Sequence, residues 1–317
     1  MIESQHACAT SPPQEDSGAT AQRCLICGYY TQHPEPAEVG QVRGNTQRFK
    51  ADVFPLWQCP ECQAIHSIDA VDMADIYSDY PLNRQRQLDV FARGTFRNLL
   101  GRLTRHGLTK NAAILDYGCG NGVYIEYLSG EGYTSVTGFD PYVAGFSDPP
   151  ALGAGGYDCV IANDVIEHVE NPRAMLLDCF NLVKPGGLLY VGTADAEGVK
   201  NMAHLERHTM RLHQPFHRVI LTQSSLLGLG AELDLTVIQS YTRSYMDTLM
   251  PFSNYRFLDE FNKAHGHNLD LALAPDAAKI ILRKPGLLFY AFFGYFMPSA
   301  IEPAVLWRKH SGAPDQP

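Results

Sequence analysis

Positive charge is what this sequence is short of: 25 lysines and arginines stand against 34 acidic residues in 317, a formal net charge of −9. Binding along a nucleic acid requires clustered cations that displace counterions from phosphates, so this balance argues against a broad nucleic-acid surface and leaves room only for a local basic patch. The first 22 residues have no basic start and no apolar core, so no secretory signal is expected there. Their Pro, Ser, Gln and acids read as a disordered leader over 1–20, and the protein is expected in the cytoplasm. An uninterrupted membrane-spanning run is missing as well: the most apolar stretch, GLLFYAFFGYFMPSAIEPAVLW at 286–307, is broken by Pro298, Glu302 and Pro303, whereas a span needs roughly twenty apolar residues. Eight cysteines in a chain of this length do not make a disulfide framework. Cys119, Cys159 and Cys179 sit in apolar contexts, where free thiols behave as small hydrophobes.

What is present is a glycine loop between a strand and a helix. In ILDYGCGNGVYIEYL (114–128) a short apolar strand delivers Asp116, and Gly118, Gly120 and Gly122 then allow a tight turn and close approach of a ligand. The helix that follows starts at Val123 and offers its N-terminal amides to a negatively charged group. Further on, SVTGFDP places Asp140 at the end of a second strand, where a doubly wound fold offers a carboxylate to ribose hydroxyls. The spacing is GxGxG with a preceding acid, which suits a cationic ligand with an amino-acid end better than a pyrophosphate.

This pattern resembles the class I S-adenosylmethionine-dependent methyltransferases. Asp116, Gly118, Gly120 and Gly122 match the family's first motif and Asp140 its ribose-binding acid; Cys119, Asn121 and Pro141 lie in the same two loops. YDCVIANDVIEHVENP (157–172) resembles the fourth strand and its following helix, and LVKPGGLLYVGT (182–193) the fifth strand. The NDVIEHV wording and the KPGG turn are most similar to the branch with ubiquinone-type O-methyltransferases and sugar methyltransferases. The resemblance covers about 77–285 and implies an α/β, Rossmann-like doubly wound sheet that binds S-adenosyl-L-methionine, with the methyltransferase domain at 111–285.

Ahead of that domain, Cys24 and Cys27 in CLICG and Cys59 and Cys62 in CPEC form two CxxC knuckles. Each knuckle can turn two thiolates toward one ion, and two knuckles complete a tetrahedral sulfur shell, so a structural Zn2+ in a small N-terminal zinc ribbon at 21–75 is expected. The intervening segment with Phe49, Val53, Phe54 and Trp57 reads as a β-hairpin too small to bury a core alone, its folding supported by metal. His33 and His66 are read as ordinary polar residues because four thiolates already fill the shell.

From Pro81 to Gly107, Leu88, Phe91, Phe96, Leu99 and Leu103 recur at helical spacing, giving a linking helix within 76–110. Before it, Tyr77 and Tyr80 are either a lid over the cofactor, as the resemblance implies, or packing at a domain junction. Only a Pro- and Gly-rich loop separates Asp140 from Asp158, so the third strand–helix unit reads as abbreviated, and Asp148 has no support as an adenine contact. Asn163 and Asp164 leave the fourth strand at its ligand-binding end. Glu167 and His168 follow as the family's EH pair, Glu167 being equally readable as a first-turn acid and His168 as a structural histidine or a catalytic one.

A histidine-rich insertion at about 195–225 carries His204, His208, His213 and His217 with no zinc-like pairing. In related enzymes a segment here caps the acceptor, which makes His217 and then His213 candidate bases; a solvated connector is the alternative. DLTVIQSYTRSY and AAKIILRKP fit the sixth and seventh strands, leaving 286–317 as an apolar extension. Basic flanks and aromatics suit a membrane interface there, and packing on the core or on a second copy is the other reading. The expected activity is methylation of oxygen or carbon on a small-molecule acceptor such as a sugar, a lipid-linked molecule or a secondary metabolite. A zinc-ribbon RNA methyltransferase and a non-catalytic cofactor-binding scaffold are the alternatives.

Overall fold

The computed structural model describes residues 21–82, 87–148, 156–298 and 301–311; the leader expected at 1–20 lies outside them. The chain begins with a two-stranded knuckle, β1 (Gln22–Arg23) and β2 (Tyr30–Thr31), followed by β3 (Val39–Arg43), β4 (Val53–Gln58) and β5 (Ile65–Ser67). Helix α1 (Met73–Tyr77), capped by the Asp72 carboxylate on the Asp75 amide, leads toward α2 (Val90–Thr104), capped likewise by Asp89 on Ala92. The expected helix over 81–107 is thus present in its second part, with Phe96, Leu99 and Leu103 on the buried face.

The main sheet has six strands in the order β11-β12-β9-β8-β6-β7. Of these, β6 (Ile114–Tyr117), β7 (Val136–Phe139), β8 (Tyr157–Asn163) and β9 (Val183–Gly192) run parallel, with α3 (Val123–Gly130) joining β6 to β7 and α4 (Pro172–Leu182) joining β8 to β9. After α5 (Thr209–Leu212), the short β10 (Val219–Ile220) and α6 (Gln223–Glu232), the chain returns as β11 (Thr236–Arg243). It closes through α7 (Tyr255–Ala264), α8 (Leu269–Leu273), α9 (Ile280–Arg283) and α10 (Leu287–Phe293) to β12 (Ile301–Arg308). Among the described residues β7 is the sheet edge, in keeping with an abbreviated third unit.

One expectation is corrected. Residues 277–283 form helical turns rather than the seventh strand; that strand is β12, taken from the second half of the segment set apart as an extension. It lies antiparallel between β9 and β11, with Val305, Leu306 and Trp307 fully buried. A central strand covered on both faces reads as a continuous apolar run, not an alternating one, and that is the character of AVLW. Pro303, which cannot donate to a ladder, is tolerated because pairing with β9 begins one residue later, at Ala304 with Gly192. Close packing of α6 on β12 needs glycine at 230, where a Cβ would come within 2.6 Å of the Trp307 ring.

The N-terminal module, too small to bury a core alone, finds its core in the rest of the chain. Its sheet has the order β10-β5-β4-β3, so the insertion at 195–225 contributes a strand to it. Cys24, Ile26, Trp57, Cys59 and Ala64 share one apolar core with Val160, Leu189 and Trp307 of the main sheet. The Arg173 guanidinium of α4 donates to the Leu25 carbonyl at 3.2 Å and to that of Ile26, and pairs with Glu232 of α6, holding the first knuckle on the helices. No helix among the described residues is long and apolar enough to cross a membrane.

Candidate active site

A cavity of about 240 Å³ opens at the carboxyl ends of β6, β7 and β8, the place where open parallel sheets bind ligands. The expected donor-site residues converge on it. Asp116, Gly118, Cys119, Gly120, Asn121, Asp140, Pro141, Asn163 and Asp164 all line the wall. Gly122 stands behind them as the residue that starts α3, in the left-handed conformation (φ 79°). Gly118, also left-handed at φ 78°, passes so close to the next loop that a Cβ would sit 2.3 Å from Val165 Cγ2. The loop therefore keeps its backbone against the cavity floor, which a side chain would fill.

Asp140 is held in place by its own neighbourhood. One carboxylate oxygen accepts the Gly120 amide at 3.0 Å and the other the Tyr142 amide at 2.9 Å, leaving each oxygen a further lone pair for a hydroxyl. Asn163 donates to the Asp164 carboxylate at 2.8 Å, and Asp164 has φ 56°, a strained turn at the strand end. Neither Asp148 nor Asp158 lines the cavity. Asp158 accepts from the Ala113 amide (2.7 Å) and pairs with Lys184 (2.8 Å), whose ammonium holds its carboxyl below the usual range.

Opposite the glycine loop the chain assembles an aromatic and imidazole wall. Tyr77 stacks on Tyr142 with ring centres 4.5 Å apart and planes 6° apart, and its hydroxyl stands 2.6 Å from His168 Nδ1. Tyr80 hydroxyl lies 3.1 Å from His213 Nε2, and His213 Nδ1 lies 2.8 Å from Asn45 Oδ1 on the N-terminal module. The His168 ring sits 4.6 Å from that of His217, whose Nδ1 donates to the Arg211 carbonyl at 2.7 Å. Of the three candidate bases only His168 reaches the cavity wall; His213 and His217 are buried behind it. His204 is on the surface, beside Glu206.

Burial sets the charge of this wall. Desolvation holds His168 and His213 well below the ordinary histidine range and brings His217 down to about 4, so all three are neutral near pH 7. Burial also pushes the Glu167 carboxyl up to about 8, helped by the Asp164 charge. One Glu167 oxygen accepts the Ala194 amide at 3.0 Å, while Glu167, His168 and His217 present ligand atoms within 4.8 Å of one another. Sequence reasoning saw no metal-like pairing for the inserted histidines, because the partners of His217 lie on another loop. It also missed Tyr142 and Asn45, which no local pattern marks, and Glu302, a half-buried acid in β12 that desolvation and the nearby Asp164 raise to about 7.

At the other pole the four knuckle cysteines converge. The Cys24 and Cys62 sulfurs are 3.5 Å apart, those of Cys27 and Cys59 3.6 Å, and all four lie within 4.8 Å of one another. The Ile26 and Cys27 amides each point at Cys24 Sγ from 3.4 Å. Four converging sulfurs with amide support fit a tetrahedral thiolate site. His66, read from sequence as an ordinary polar residue, places Nε2 3.3 Å from Cys24 Sγ and packs on Trp57, a position from which it would support that sulfur as a ligand from outside the shell.

Residues 83–240 match the family model described as a methyltransferase domain. The chain is 34% identical to the ubiquinone biosynthesis O-methyltransferase of Vibrio parahaemolyticus across 25% of this chain and 43% of that protein. It is 32% identical to the Escherichia coli enzyme of the same description across 27% of this chain and 44% of the relative. The chain thus spans less than half the length of the curated relatives it matches. Among solved structures it is similar to a Burkholderia thailandensis 1,6-didemethyltoxoflavin N1-methyltransferase bound to S-adenosylhomocysteine (TM-score 0.45, 16% identity, 80% of this chain and 98% of that one). A Haemonchus contortus phosphoethanolamine N-methyltransferase is another (TM-score 0.47, 14% identity, 88% and 70%).

Proposed function

Because this chain belongs to the class I S-adenosylmethionine-dependent methyltransferases, we propose that it methylates oxygen or carbon on a small-molecule acceptor: a sugar, a lipid-linked molecule or a secondary metabolite. The observation that carries the reading is one cavity with two chemically different walls: a left-handed glycine loop and two acids on one side, a neutral imidazole paired to a tyrosine on the other. Bound S-adenosylmethionine supplies a sulfonium methyl open to in-line displacement. Asp116 and the backbone of the 118–122 loop would hold its amino-acid end, and Asp140 its ribose hydroxyls. Tyr77 and Tyr142 close the mouth and exclude water. His168 would take the acceptor's proton, directly or through the Tyr77 hydroxyl, which requires the neutral imidazole that burial enforces. His217 and His213 then orient His168 from behind. Most of the rate enhancement would come from alignment of donor and acceptor.

Titration calorimetry with S-adenosylmethionine tests the reading. Binding that Asp140→Ala weakens supports it; no binding by the intact chain sinks it. The convergence of Glu167, His168 and His217 favours a second reading of that wall, in which the three side chains are ligands of a divalent cation. In that case chelator-treated enzyme loses turnover and added Mg2+ or Zn2+ restores it, whereas a pure base is indifferent to both. The Cys24, Cys27, Cys59 and Cys62 site is proposed to hold a structural Zn2+, which metal analysis of the purified protein checks.

A further inference from the structure

Helix α10 is apolar on both faces. Leu287 and Ala291 are buried beside Phe257 of α7, which accounts for one face. The other carries Leu288, Phe289, Phe292 and Phe293, continued by Phe296 in the next turn, and these five are between 41% and 75% exposed. Single exposed apolar residues are ordinary; five on one strip mark a contact surface. The strip runs on toward the cavity. Phe292 meets Phe252 edge-on at 5.8 Å, Phe252 meets Phe91 at 6.3 Å, and Phe91 opens α2, whose Phe96 and Leu99 line the cavity wall. Just before α10 in the chain stand the exposed Arg283 and Lys284, with Leu282 85% exposed next to them.

We propose that this face docks on an anionic lipid surface, with the outer side of α10 and Phe296 at the boundary between headgroups and acyl chains and Arg283 and Lys284 against the headgroups. The acceptor would then reach the cavity from the bilayer, which makes it amphiphilic; that step rests on the methyl-transfer reading, while docking does not. Charge decides between a lipid and a second copy. The chain carries −9 overall, so like-charged copies repel, and an anionic surface is attracted only where cations concentrate, here beside the aromatic strip. Phenylalanine and leucine flanked by basic residues are also the composition of helices that lie in a membrane interface.

The test is co-sedimentation of the full chain with phosphatidylcholine vesicles, with and without phosphatidylglycerol, alongside light scattering for oligomeric state. Wild type is expected to sediment with the mixed vesicles and to be released by salt. Phe289→Glu with Phe293→Glu should weaken binding by about tenfold or more, as two large apolar side chains are lost. Arg283→Glu with Lys284→Glu should remove the preference for phosphatidylglycerol, a change of roughly thirtyfold or more at about 1 kcal/mol per cation near such a surface. Both variants should keep wild-type affinity for S-adenosylhomocysteine by calorimetry, which shows that they are folded. Wild type remaining in the supernatant with both vesicle types overturns the proposal. A wild-type dimer that the phenylalanine variant splits, without vesicle binding, assigns the face to a second copy and overturns it too. Vesicle binding by a chain that binds no S-adenosylhomocysteine leaves docking standing and removes the methyl-transfer reading instead.

Discussion

The two walls of the cavity are built in opposite ways. The donor wall comes from one continuous stretch, Asp116 to Asp140, whose strand, loop, helix and strand follow each other in the chain and bring the two acids together. The imidazole wall is collected from residues 45, 77, 80, 167, 168, 213 and 217, on loops that meet only after the N-terminal module, the linking helix and the insertion have packed. The first depends on backbone shape, which glycine and strand geometry dictate locally. The second depends on burial, which no local segment supplies. Loss of packing should therefore damage the imidazole wall before the donor wall.

The largest expected effect follows from that dependence. Replacing Cys24 and Cys59 by serine should abolish zinc content, and since a structural zinc is worth about 10 kcal/mol in isolated modules, the melting temperature should fall steeply. Asn45, the partner of His213, belongs to this module, so the imidazole wall goes with it. Next, His168→Gln should lower kcat by about 10²- to 10⁴-fold, the usual worth of a general base, with S-adenosylhomocysteine affinity unchanged by calorimetry. If both fall together, the two walls are not separable and the comparison breaks.

A pH series gives the third prediction. The folded-state value for His217 is lowered from 6.5 to about 4. Between those values the unfolded chain binds a proton that the folded one does not, so the contribution is present above pH 6.5 and is lost as pH falls toward 4, amounting to up to about 3 kcal/mol. Denaturant unfolding across that window should show stability rising with pH, and His217→Gln should flatten the slope. Asp140→Ala comes fourth. Removing a charged acceptor of hydrogen bonds costs about 1.5–3 kcal/mol, read as a ten- to hundredfold loss of donor affinity with thermal stability little changed. Smallest is Lys184→Ala. Its pair with Asp158 is 40% exposed on the lysine side, and exposed pairs contribute about 1 kcal/mol or less, so the melting temperature should barely move.

Particular residues show where sequence reading reached its limit. The parallel strands β6 to β9 were each legible, because a short apolar run ending in a glycine turn or an acid has few other solutions. The seventh strand was misplaced because Ile280, Ile281 and Leu282 look more like a strand by composition than a proline-led AVLW does; only the open slot between β9 and β11 selects β12. His66 looked idle since its partner Cys24 is distant in the chain, and packing of the first knuckle against β5 brings them within 3.3 Å. His168, readable from sequence as a structural or a catalytic histidine, alone of the three candidates lines the cavity wall, a placement set by distant segments.

By itself the sequence determined the glycine loop, its two acids and the two cysteine knuckles, because backbone freedom at glycine and short-range thiol spacing are properties of neighbouring residues. Only the tertiary structure decided which strand completes the sheet, which histidine faces the cavity, and that burial pushes the imidazoles and Glu167 toward their neutral forms. Those are consequences of distance and desolvation, and both are set by segments far apart in the chain.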